Sequence, residues 1–191
     1  MLIFPLALGG GVVAGYAGGG RLHGLGLLQL RAPLLVVAAL LAQLGLPAVD
    51  ESLRNPIVAL SYGMVGAWLV VNLARRSLIL RVAIGLLAIG WMLNIAPIAA
   101  NGAMPVSVDA LGQIGGPPAD DIAAGNIDKH VAAGPGTPLG FLGDVIAVTP
   151  LRAVVSIGDV VMVVGIVLIV AAAMASARHR GEREIPRKEV P

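Results

Sequence analysis

The chain has 191 residues, 57% of them hydrophobic and only 13% charged, with a formal net charge of +2. A soluble domain carries about 25% charged residues, so this composition excludes an ordinary soluble fold and points to a bilayer. Cysteine is absent, which excludes disulfides, thiolate metal sites and a cysteine nucleophile.

A membrane-crossing helix needs roughly 20 apolar residues, and five runs are read as spans. The first runs from Leu2 to Gly20. It has no basic residue ahead of it, as a secretory signal would, and is expected to be a retained span. Within it Gly11, Gly15 and Gly19 recur at every fourth position and would line a groove where another backbone can approach. No strand signal precedes them and no Lys-Ser/Thr follows, so a phosphate loop is not indicated. The second run, Pro33 to Val49, is the shortest, is broken by Gly45 and Pro47, and has a half-span as its alternative. Its Gln43 reads as an interhelical hydrogen bond.

The third run, Pro56 to Ala74, carries Ser61 and Tyr62 near its first end, with Trp68 on the face of Ser61. The fourth runs from Val82 to Ala100. Asn94 and Asn101 are two helical turns apart and point the same way, and Pro97 between them frees a backbone carbonyl.

The segment from Asn101 to Arg152 is rich in glycine and proline and is longer than an ordinary loop. Ser107 is expected to cap a short helix over 108–113, and Pro118 to open a turn through Asp120 and Asp121. Phe141 to Val148 is expected to form an interfacial or re-entrant helix, with Asp144 capping it. The segment is too small for an independent core and is expected to cap the outer ends of the spans. The fifth run extends from Ala153 to Ala177, with Ser156 and Asp159 on one face. Residues 178–191 form a basic tail, expected to be disordered or to lie on anionic headgroups.

Charge orders these pieces. Arg21 and Arg31, then Arg75, Arg76 and Arg81, then Arg178 to Lys188 fall on alternate connections. The other connections hold Arg54, Lys129 and Arg152 together with most of the acids. The positive-inside rule then predicts five crossings, an outer N-terminus and a cytoplasmic C-terminus. Basic residues placed by topology, without interleaved aromatics, argue against nucleic acid as a partner. The expected partners are the lipid bilayer and either a second copy or another membrane subunit.

A rise of about 1.5 Å per residue places Asp159 roughly 27 Å from Ala177, near the outer edge of the hydrocarbon. Asn94 lies roughly 18 Å from Val82. The expected site is thus an outward polar cup of Asp144, Asp159, Asn101, Asn94, Ser156, His130 and Tyr62. Intramembrane carboxylates mark sites by default. The competing readings are plain. Asp159 and Asp144 would each cap a helix N-terminus, Asp159 would pair with Arg152, and Asn94 would join two helices. A metal held by Asp144, Asp159 and His130 has no supporting spacing, and no cofactor motif is present. Paired aspartates sharing a proton would suit a membrane hydrolase. The Tyr-Asp and Pro-Ala-Leu elements of intramembrane aspartyl proteases are missing, however, and enzyme activity is not the favoured reading.

Asn101-Gly102-Ala103-Met104-Pro105, Lys129-His130, Phe141-Leu142-Gly143-Asp144 and Ser156-Ile157-Gly158-Asp159-Val160 together resemble an uncharacterised bacterial multi-pass membrane family, a domain of unknown function. The resemblance implies a bacterial cytoplasmic membrane location and assigns no activity. The expected fold is an all-α bundle of about five spans in one domain, residues 1–177, with the outer cap at 101–152. Its expected function is binding or transport of a small polar solute or cation. The alternatives are a structural or regulatory subunit and a hydrolase using paired aspartates.

Overall fold

The computed structural model describes residues 3–73, 77–116 and 130–183. Among these residues six α-helices follow in chain order: α1 (Ile3–Ala17), α2 (Pro33–Gly45), α3 (Glu51–Leu73), α4 (Leu78–Asn101), α5 (Val108–Gln113) and α6 (Ile157–Arg183). Four short strands lie between α4 and α6: β1 (Met104–Ser107), β2 (His130–Ala133), β3 (Ile146–Val148) and β4 (Ala153–Val155). The chain is mostly helical but not all-α.

Among the described residues three helices are long and apolar enough to cross a membrane: Ser52–Leu73, Leu78–Asn101 and Ile157–Ser176. The other two runs expected to span form shorter apolar helices. α1 has 15 residues, about 22 Å of helix, and ends where Gly18 and Gly19 turn the chain. Gly19 has φ +74°, a conformation glycine adopts without steric cost. α2 has 13 residues, about 20 Å. Pro47 cannot donate to the carbonyl four residues back, and the chain tightens into a 3-10 turn over Leu46–Ala48.

The helices nonetheless alternate in direction. Gly11 and Gly15 of α1 lie against Val170 and Met174, so α1 runs parallel to α6. Gln43 meets Ser61 and Arg31 meets Asn72, so α2 runs antiparallel to α3. Gly66 meets Trp91 while Leu69 packs with Ala83 and Ile84, which sets α3 against α4. Asn94 meets Asp159 and Ala83 meets Gly165, which sets α4 against α6. One end of the bundle therefore gathers the start of α3, the end of α4 and the start of α6. The other gathers the 18–32 connector, the end of α3, the start of α4 and the end of α6. The apolar core of Leu69, Ala83, Ile84 and Ile169 lies toward the second end, with Leu28 of the connector packed on it.

Between α4 and α6 the chain folds on itself at the first end. β1 pairs with β2 in parallel, and β3 with β4 antiparallel. Val106 and Leu111 form a small apolar centre, joined by Ile114, Ala132 and Val154. Ser107 caps α5, its Oγ accepting from the Ala110 N–H at 3.2 Å, as the sequence suggested. The helix expected over Phe141–Val148 is replaced by a 3-10 turn at Gly140–Leu142 and strand β3. Correspondingly, the last helix begins at Ile157, because Ala153–Val155 is used as a strand. It continues to Arg183, into the segment expected to be a disordered tail. The turn expected at Pro118 lies outside the described residues.

Candidate functional site

The first end of the bundle holds two polar clusters. In one, Ser156 stands immediately before α6 and is completely buried. Its Oγ accepts from the Asp159 N–H at 2.9 Å, while Asp159 Oδ2 accepts from the Ser156 N–H at 3.1 Å. This reciprocal pair is a capping box, which satisfies two helix-end donors. Asn94 of α4 closes the cluster. Its Nδ2 donates to Asp159 Oδ1 at 2.8 Å, and its Oδ1 accepts from Ser156 Oγ at 2.7 Å. Each of the three side chains holds the other two. Two glycines allow this approach. A Cβ on Gly158 would collide with the Asn94 side chain, and one on Gly90 would meet the Gly158 carbonyl and Met162. Among the described residues Asp159 is thus met by Asn94 and Ser156, and the pairing expected with Arg152 is not formed.

The second cluster is His130 with Asp144. Register explains why they meet. His130 lies beside Met104 on one side of β1, and Asp144 lies beside Val106 on the other. Met104 and Val106 are two apart and share a face, so both side chains project over β1. The backbone fixes Asp144 firmly, its N–H donating to Pro105 O at 2.8 Å and its carbonyl accepting from Ser107 N–H at 2.9 Å. Gly143 sits so close to the Pro105 carbonyl that a side chain would not fit. His130 Nε2 is 3.3 Å from Asp144 Oδ2, and the Asp144 side chain is 14% exposed. Asp144 therefore belongs to a strand-like bridge and does not cap a helix.

Burial pushes the Asp144 carboxyl above its ordinary value; the hydrogen bond with His130 lowers it in part, and the Asp159 carboxylate raises it again. Tyr62 lies on α3, one residue after the buried Ser61. Among the described contacts, Asp144 bonds His130 while Asp159 bonds Asn94 and Ser156. Among the described residues no three His, Asp or Glu side chains form a group that could hold a metal ion.

The remaining expected residues have other work. Asn101 donates to Pro97 O and to Pro138 O, each at 2.8 Å, and so ties the end of α4 to the 134–138 turn. Ser61 is buried, receives the Gln43 amide at 2.6 Å and donates to Val58 O at 2.7 Å. In α1, Gly11 and Gly15 are buried against α6, whereas Gly19 is exposed in the turn; Gly20 and Gly24 continue the close contact with Met174 instead.

One residue had no signal in the sequence. Asn72 is completely buried near the end of α3. Its Oδ1 accepts from the Arg31 N–H at 2.8 Å, and its Nδ2 donates to Arg31 O at 2.9 Å and Trp68 O at 2.9 Å. A side-chain amide here acts as a peptide group, pairing with both backbone groups of one residue. A lone Asn near a span end reads as an ordinary interfacial polar residue, so its partner could be found only in three dimensions.

No curated protein and no solved structure matches the chain. A family model described as a family of unknown function, DUF5317, matches residues 27–171, which take in α2 through most of α6 and leave α1 outside. The chain belongs to this DUF5317 family of unknown function.

Proposed function

We propose that the protein crosses the bilayer five times, with α1 and α2 as short spans, and that residues 102–156 cover its outer face. The alternating helix directions support this reading. So does the charge division, with Arg21, Arg31 and Arg81 at one end and Asp50, Asp109, Asp144 and Asp159 at the other. Short hydrophobic helices are accommodated by local thinning of the bilayer. This orientation is that of a bacterial cytoplasmic membrane protein with its C-terminus inside.

At the outer end the protein binds a small organic cation. The observation that supports this reading is that the His130–Asp144 pair, with the Asp144 side chain 14% exposed, and Asp159 lie at the same end of the bundle. Asp144 Oδ1 accepts no hydrogen bond from a described residue and remains an acceptor for an N–H donor. A bound ammonium group would donate charge-assisted hydrogen bonds to these carboxylates. The test is titration of detergent-purified protein with small alkylammonium ions by calorimetry. Saturable binding is expected, weakening as pH falls and lost in Asp144→Asn. No saturable binding with any of these ions removes the reading.

A second reading, a structural membrane subunit, is favoured by the closed Asn94–Ser156–Asp159 ring, whose members already satisfy one another. Isolation of a stoichiometric partner together with absence of cation binding would establish it.

A further inference from the structure

At the opposite end of the bundle, the connector between α1 and α2 is held against the helix ends by its backbone. Arg21 N–H donates to Met174 O of α6 at 3.1 Å. Arg31 is gripped through both backbone groups by Asn72 of α3. Between these points, Gly24 packs directly on the Ala173–Met174 backbone, and Leu28 enters the core formed with Ala83 and Ile84. Arg81 stands two residues before Ala83. The connector therefore crosses the ends of α6, α4 and α3 in turn. The side chains of Arg21, Arg31 and Arg81 are all exposed, as is His23. Residues 18–32 and 74–83 contain no Asp or Glu.

We propose that Arg21, Arg31 and Arg81 form a fixed platform for the phosphate groups of anionic lipids, held in place by the Asn72 clamp. This rests on the membrane reading of the bundle but concerns the end away from the cation site. Flexible basic loops attract anionic headgroups as diffuse charge. Here the backbone of two of the three arginines is tied to a helix, so their positions are set before a lipid arrives, and less ordering entropy is lost on binding. Guanidinium forks take phosphate oxygens in pairs. Leu22, 48% exposed beside Arg21, adds an apolar contact at the level of the acyl chains. The charge division along the bundle favours lipid phosphate over a soluble anion, since this end is where the apolar helix surfaces stop.

The test uses full-length protein reconstituted in vesicles of phosphatidylglycerol and phosphatidylcholine, released into mild detergent, with retained lipids counted by native mass spectrometry. The wild type is expected to retain phosphatidylglycerol preferentially. The preference should fall about five-fold for each arginine replaced by glutamine and vanish in R21Q/R31Q/R81Q. Asn72→Leu keeps every charge and should lower the preference as well, which simple charge attraction would not do. Undiminished preference in the triple variant overturns the site, with the basic tail then carrying the effect. Undiminished preference in folded Asn72→Leu overturns the platform as a fixed structure. A chain that never enters vesicles overturns this inference and the membrane reading together.

Discussion

Asn94 and Asp159, 65 residues apart in sequence, meet at 2.8 Å where α4 crosses the first turn of α6. The bond joins a mid-chain helix to a helix cap, and Ser156 completes it from the other side. It fixes the last helix against α4 where the 102–156 segment returns to the bundle. Removing any member leaves a hydrogen bond of a part-buried polar group unmade.

Asn94→Ala is expected to cost about 1–3 kcal/mol, because the Ser156 hydroxyl loses its acceptor and Asp159 Oδ1 loses its donor. Asp159→Asn loses the charge at the helix N-terminus and one of the two acceptors that face Asn94 Nδ2 and the Ser156 N–H, at about 1–3 kcal/mol. Thermal unfolding in detergent measures both. No loss in either variant would show that the ring does not hold the contact.

Glycine position sets a second prediction. Gly158→Ala would drive a methyl group into Asn94, at about 1–3 kcal/mol. Gly63→Ala and Gly85→Ala meet no atom within 4 Å and remove glycine from a helix interior, which favours the helix by about 0.5–1 kcal/mol. Thermal midpoints should fall for the first and rise for the others. A neutral Gly158→Ala would contradict the close crossing.

Asp144 gives a pH dependence with a defined sign. Its folded carboxyl is raised from the ordinary value of 3.8, so the folded state holds this proton more tightly than the unfolded state. The stability this adds is fully present below the ordinary value and is lost as pH rises through the raised one. The stability of wild type relative to Asp144→Asn should therefore fall across that window. A constant difference between the two proteins would mean that Asp144 titrates alike in both states.

The long spans were legible because their signal, apolar length, is local. The residues of the Asp159 cluster were visible singly, Asp159 as a helix cap and Asn94 as an interhelical hydrogen bond, but helix rise put them at different depths, roughly 27 Å and 18 Å, and did not pair them. The strands were not legible. Phe141–Val148 is a short apolar run, and periodicity cannot separate strand from helix at that length. What decides it is pairing with Ala153–Val155 across a turn at Thr149–Leu151. His130 and Asp144 meet only through the register of two strands on either side of β1, and Asn72 finds Arg31 across 41 residues. Such partners are set by chain crossings that no single stretch encodes.

Sidedness is the most direct test. The chain has no cysteine, so one introduced thiol reports alone. Gly136 and Gly26 lie at opposite ends of the bundle, and a side chain at either meets nothing within 4 Å. With a membrane-impermeant maleimide on intact cells, Gly136→Cys is expected to label and Gly26→Cys to label only after permeabilisation. Labelling of Gly26→Cys in intact cells, with Gly136→Cys protected, would put the acidic clusters inside the cell and contradict an outward-facing site.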